Sequence, residues 1–290
     1  MFFDVGEYDV KKLPPLSPED AAKPYAKYYY EGRTELADPE LLEAIKPGNP
    51  ISPELAVYPE QWPKLLEPGC PRPKVGYCLL PEGVAYACAR TEFPDVTMEM
   101  ENWFIPWVMG DPGLRYKIWY PGAHEAHYDN FAIEDFGAGM VDLVLGKRPT
   151  MAMLGLPDNP SEKNPKVLRV MSRNGRGHLH GEPLEAEMSY SIMLHIVFAR
   201  EGGGLERWSF GYTGAHVENG KMIVKIRDGE TITEEDGRRQ ASHLLYEYRR
   251  QSVLLPKLYA EFGADKGPKE MPPYPEYALP LLERARNGLK

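Results

Sequence analysis

Arg238–Phe262, RRQASHLLYEYRRQSVLLPKLYAEF, decides how this chain folds. Leu244, Leu245, Tyr248, Leu254, Leu255, Leu258 and Tyr259 recur at the period of one helical face, interrupted only by Pro256. The period switches to this value after Thr233-Glu234-Glu235-Asp236. Upstream, the dominant period is two. Val75–Leu80, the turn Pro81-Glu82-Gly83 and Val84–Thr91 read as a hairpin. Met188–Arg200 sets Tyr190, Ile192, Leu194, Ile196 and Phe198 on one face, and Ser191, Met193, His195 and Val197 on the other. Both faces are largely apolar, so this strand is covered on one side and lines an enclosed space on the other. Further strands are expected at Leu114–Tyr120, Lys166–Met171, Leu205–Thr213 and Lys221–Ile226, with turns at Gly202-Gly203-Gly204 and Asn219-Gly220. Asp95–Met109 is a helix candidate, bent near Pro106. The expected class is α+β: an antiparallel sheet and one long C-terminal helix enclosing a cavity.

The N-terminal quarter differs. Proline makes up 29 of the 290 residues, about twice the usual share, concentrated before Cys70 and after Gly267. Prolines break this stretch into short helices such as Asp38–Ile45. It also carries Tyr28, Tyr29, Tyr30 and Trp62, so it has apolar surface to bury. The expected organisation is a Pro-rich arm at 1–73, a catalytic domain at 74–265 and a tail at 266–290. The arm packs on the core or on a second subunit, which leaves room for a homodimer.

Composition excludes several classes of function. Lys and Arg number 34 against 43 Asp and Glu, a net charge of -9 with no basic stripe, which argues against a nucleic-acid partner. Cys70, Cys78 and Cys88 are an odd count without CxxC spacing, fitting neither a disulfide framework nor a thiolate zinc site. The N-terminal residues lack a secretory pattern, and no run approaches the ~18 apolar residues of a membrane span. These features lead to the expectation of a soluble, cytoplasmic protein.

Chemistry concentrates in two places. His243 and Glu247 stand four apart on one helical face that continues to Leu254 and Leu258. HxxxE reads either as an exposed pair of small weight or as two inward ligands of one cation. The second place is the segment Tyr116–Tyr128, where an aromatic strand is expected to run into a loop with His124 and His127, followed by Glu134. HxxH reads as a partly solvated pair or as metal ligands. Together the two clusters supply imidazoles and carboxylates without thiolate, a set suited to catalytic zinc and also to iron or manganese. His195 is either a core histidine bonded to backbone or an active-site residue. Tyr116 and Tyr212 are buried tyrosines whose hydroxyls bond either to protein or to a substrate. His178 and His180 fall in an exposed Gly-rich loop. The triglycine lacks the GK[ST] and the following helix of a phosphate loop, and no GxSxG elbow exists.

Four segments in order, RYKIWYPGAH ending at His124, IEDFG with Glu134, HIVFAREGGGLERWSFGYTG and ASHLLYEYRRQSVLLPKLY, resemble the 2,4-diacetylphloroglucinol hydrolase and phloretin hydrolase family over about Tyr77 to Phe262. The resemblance implies a Bet v 1-like helix-grip fold, a curved antiparallel sheet around the long helix. It also implies hydrolysis of the carbon-carbon bond between an acyl carbonyl and a phloroglucinol-type ring, with Zn2+ held by His124, Glu134, His243 and Glu247. His195, Tyr116 and Tyr212 would lie near the aryl ketone or polyphenol substrate as catalytic groups. The stretch between His124 and Glu134 is shorter than in the relatives, which makes Glu125, Asp135 and His127 substitutes for Glu134. A non-catalytic carrier of hydrophobic ligands, and a metal-dependent hydrolase or decarboxylase of another β-dicarbonyl compound, remain open alternatives.

Overall fold

The computed structural model describes residues 13–31, 39–128, 131–137, 140–147, 149–176, 190–270, 273 and 276, with backbone alone for 131–137, 140–147, 174 and 176. Among these the helices are α1 (Pro18–Ala21), α2 (Lys27–Tyr30), α3 (Pro39–Ala44), α4 (Trp62–Leu65), α5 (Met98–Met109), α6 (Leu114–Trp119), α7 (Pro160–Lys163) and α8 (Glu234–Phe262). The strands are β1 (Gly76–Leu79), β2 (Ala85–Phe93), β3 (His124–Tyr128), β4 (Phe131–Gly137), β5 (Met140–Lys147), β6 (Val167–Arg176), β7 (Tyr190–Ala199), β8 (Leu205–Thr213), β9 (Ala215–Glu218) and β10 (Lys221–Val224). Eight of them form one antiparallel sheet in the order β1-β2-β8-β7-β6-β5-β4-β3, and β9 and β10 form a separate hairpin.

The 29-residue α8 forms for local and tertiary reasons. Asp236 accepts a hydrogen bond from the Thr233 amide at 2.8 Å, and Glu234, Glu235 and Asp236 complement the positive end of the helix dipole. Its apolar stripe buries Leu244, Leu245, Leu254, Leu255 and Leu258, each worth about 1.5–3 kcal/mol. A glycine lets helix and sheet touch: a Cβ on Gly237 would fall 2.7 Å from the Tyr86 carbonyl oxygen. The helix rests on β1, β2 and β8, yet its His243 meets His124 at the start of β3, the opposite edge of the sheet. The sheet therefore curves around the helix.

Both faces are covered over β1, β2, β7 and β8. Tyr77, Ala87, Ala89, Phe93, Val197 and Leu205 face α8. On the outer side Ile192, Leu194, Ile196, Trp208, Phe210 and Tyr212 pack beneath Ala56, Trp62, Leu65 and Leu66 of the Pro-rich segment. The same segment reaches the helix side, where the buried Arg250 of α8 donates to the carbonyls of Tyr28 (2.7 Å), Glu31 (3.1 Å) and Ile118 (2.9 Å).

Several elements differ from the sequence expectation. Leu114–Tyr120, expected as a strand, is the helix α6. The β-prone Tyr116, Ile118 and Trp119 are overruled by burial of Leu114, Tyr116, Ile118 and Trp119, with Asp111 accepting from the Leu114 amide. The expected loop after Tyr120 is instead the start of the β3-β4-β5 meander. Lys221–Ile226 shortens to β10 and leaves the main sheet. β6 runs to Arg176, past the expected Met171. Asp38, Met188, Ser189, His178, His180 and most of the tail lie outside the described residues.

Candidate functional site

β3 and α8 deliver the first three side chains of interest. His124 Nε2 lies 3.3 Å from His243 Nε2. Glu247 brings one carboxylate oxygen to 3.5 Å from His243 Nε2 and the other to 4.0 Å from His124 Nε2. The three ligand atoms lie within 4.8 Å of one another and could hold one metal ion. Two nitrogens bound at ~2.0–2.1 Å to one tetrahedral ion stand about 3.3–3.4 Å apart, which matches the His124–His243 separation.

The surroundings orient these donors. His124 Nδ1 faces the Tyr116 carbonyl at 3.3 Å. A carbonyl only accepts, so Nδ1 carries the proton and Nε2 presents its lone pair toward His243 and Glu247. The Tyr116 ring stacks on the imidazole at 3.8 Å with planes 4° apart, while Trp119 and Tyr120 meet it edge-on. Burial, then the neighbouring His243, holds the His124 pKa well below the ordinary histidine value. The side chain of His243 is 14% exposed and that of Glu247 8%, which puts the cluster at the margin of the core.

Beside it on the helix-facing side of the sheet lies His195, with Nδ1 2.9 Å from Ser209 Oγ and Nε2 3.3 Å from the Tyr248 hydroxyl. Burial, followed by Arg207 and Arg173, lowers its pKa to about 3, so the ring is neutral near pH 7. Arg207 lies over the Tyr248 ring at 4.2 Å, pairs with Glu101 at 2.5 Å and donates to Gln251 at 3.0 Å.

Not every predicted residue converges here. Tyr212, expected near the substrate, lies on the outer face, where its hydroxyl donates to the Val57 carbonyl and accepts from Trp62 Nε1 at 3.1 Å. Its register partner is Ile192, so the alternation that separates Ile192 from His195 already assigned its face. Tyr116 lies beside His124, with its ring as the contact surface. Glu134 is the register partner of His124 across β3 and β4, and its side chain is outside what the structure describes, as is that of Asp135. Glu125 pairs with Lys117 at 3.1 Å, and His127 packs on Tyr116 at 5.0 Å. Tyr248, Ser209 and Arg207 join the site without a motif to mark them, although the inward alternation of β8 places Ser209 and Arg207 on the face of His195.

Fold and site define an α+β protein with a thiolate-free, metal-competent cluster between a sheet edge and its long helix. Its kinship is more particular: the chain belongs to the 2,4-diacetylphloroglucinol hydrolase family. It is 30% identical to the 2,4-diacetylphloroglucinol hydrolase of Pseudomonas sp over 83% of this chain and 89% of that one. It is 26% identical to the phloretin hydrolase of Eubacterium ramulus over 84% of this chain and 92% of that protein. The family model described as the DAPG hydrolase PhiG domain matches residues 59–135. Among solved structures, the Zhui aromatase/cyclase aligns with 62% of this chain and 94% of its own at a TM-score of 0.29 and 11% identity.

Proposed function

We propose that this chain is a zinc-dependent hydrolase of the bond joining an acyl carbonyl to a phloroglucinol-type ring, releasing a carboxylic acid and the deacylated phenol. The convergence of His124, His243 and Glu247 carries this reading, and membership in a family of hydrolases with phenolic ketones in their names supports it. A donor set of two imidazoles and a carboxylate suits a catalytic zinc, as it does iron. Glu134, register partner of His124, is the proposed fourth ligand.

Aryl ketone hydrolysis needs a ring carbon that can accept an electron pair. Protonating that carbon first turns the phenol into a keto form resembling a β-diketone. Water then adds to the acyl carbonyl, and the ring–carbonyl bond breaks with its electrons returning to the ring oxygen. Zinc, when bound, supplies a Lewis acid and a water of lowered pKa. His195, neutral and bonded to hydroxyls at both nitrogens, is placed to hold or pass a proton. Tyr116 keeps His124 aligned and borders the substrate. The packing of Tyr212 on the outer face argues against its taking part.

The reading includes a helix-grip fold, the division into arm (1–73), catalytic domain (74–265) and tail (266–290), and a reducing, cytoplasmic setting in keeping with three free cysteines. No helix among the described residues is long and apolar enough to cross a membrane. The deciding experiment incubates purified, metal-analysed protein with 2,4-diacetylphloroglucinol and with phloretin. Stoichiometric zinc and acid release, both lost in His243→Ala, are expected. Full activity in metal-free protein would overturn the zinc mechanism, and tight binding without turnover would favour a carrier.

A further inference from the structure

β6 lies between β7, which carries His195, and the β5-β4-β3 side of the sheet that ends at His124. Within β6, Met171 is opposite His195 and Arg173 is opposite Met193. Residues directly opposite, and those two apart, stand on one face of an antiparallel pair. Arg173 therefore shares the helix-facing side with His195, in agreement with the packing of Met171 and Met193 against that core.

Arg173 is half-buried as a residue and, among the described residues, its guanidinium has no hydrogen bond or ion pair. Other enclosed arginines are matched: Arg207 by Glu101, Arg238 by Glu235, Arg115 by Asp265 and Arg250 by three carbonyls. The charge of Arg173 is also felt at His124, His195 and Tyr248, the residues on either side of the proposed reaction space. A partly desolvated cation without a counter-ion is costly, and a planar fork of N–H donors is suited to an oxyanion.

We propose that Arg173 is the anion-binding residue of this site and takes the phenolate oxygen of an ionised acylphloroglucinol. This rests on the hydrolase reading above. An acyl group withdraws charge from the ring and acidifies the neighbouring hydroxyl, so substrates of this class carry an anion that the guanidinium lacks among the described residues. Arg173 then selects ionised acylphenols over neutral ones and orients the ring with its acyl carbonyl toward His124, His243 and Glu247.

The test uses 2-nitrophloroglucinol, an ionised analogue with no acyl bond to cleave, and its neutral trimethyl ether. Binding of each to the holoprotein is measured by titration. The wild type should prefer the anion, and Arg173→Met should bind it on the order of 10- to 100-fold more weakly, the loss expected for one charge-assisted hydrogen bond. Affinity for the ether should be unchanged. Arg173→Lys, which keeps the charge without the fork, should lose only part, and it serves as the reading if the methionine variant melts early. A wild type that does not discriminate, or a methionine variant with unaltered anion affinity, would overturn the proposal. Acid release from 2,4-diacetylphloroglucinol is scored separately: release by the wild type with anion binding unchanged in Arg173→Met rejects Arg173 alone, and anion binding lost in Arg173→Met with no hydrolysis by the wild type rejects the hydrolase reading alone.

Discussion

The ring of Tyr116 lies flat on the imidazole of His124, centroids 3.8 Å apart and planes 4° from parallel. With the Tyr116 carbonyl facing His124 Nδ1, one residue fixes both the tilt and the proton position of a candidate ligand. Tyr116→Phe keeps ring and carbonyl and should retain metal. Tyr116→Ala keeps only the carbonyl and should weaken zinc binding by roughly 10- to 100-fold, as loss of an outer support does. Competition with a chromophoric chelator reads the difference, and equal affinities in the two variants would refute the role.

Metal removal should destabilise the folded chain, because a cation held by β3 and α8 binds the native state alone. With free metal at 1,000 times its dissociation constant the linkage is about 4 kcal/mol. Thermal melts should fall on dialysis against a chelator and recover with zinc. Glu247→Gln, which removes the ligand charge, should melt near the chelated wild type and respond little to zinc.

His195 makes stability depend on pH. Its folded pKa of about 3 lies below that of an unfolded histidine, so between these values the unfolded chain binds the extra proton. Stability contributed by the neutral ring is present above about pH 6.5 and declines as pH falls toward 3, by up to ~1.4 kcal/mol per pH unit. His195→Gln has no such proton to gain. Urea denaturation at pH 7, 6 and 5 should show a shallower decline in the variant, and parallel curves would contradict the assignment.

Arg207 and Glu101 form an ion pair in which each side chain is only 4% exposed. Removing one partner, as in Arg207→Met or Glu101→Leu, leaves a buried charge and should cost about 3–5 kcal/mol. The double variant should recover much of that loss. Because Arg207 also lies over Tyr248, the recovered protein should still show altered turnover, which separates stability from support of the Tyr248–His195 contact.

α8 and the pairing of His243 with Glu247 were legible because a 3.6-residue stripe over 25 residues is hard to imitate and the two polar residues fall on it. The β1-β2 hairpin was legible through its turn. α6 was not, since Tyr116, Ile118 and Trp119 favour strand locally and only packing makes them helical. The strand of His124 is not legible in the sequence because its apolar content is low and only pairing with β4 makes it a strand. Tyr212 is assigned to the outer face by its register with Ile192 and not by its residue type, and nothing in the sequence distinguishes Arg173 from the other arginines.

His124 and His243 are 119 positions apart, and the helix carrying the second follows every strand of the sheet. During synthesis the strands leave the ribosome before either α8 ligand exists, so a chain stalled short of Glu247 has no three-donor cluster to offer a metal. Closing so long a loop is slow. The three donors therefore come together only after α8 has been made and has docked on the sheet, and capture of a metal by them would report that docking.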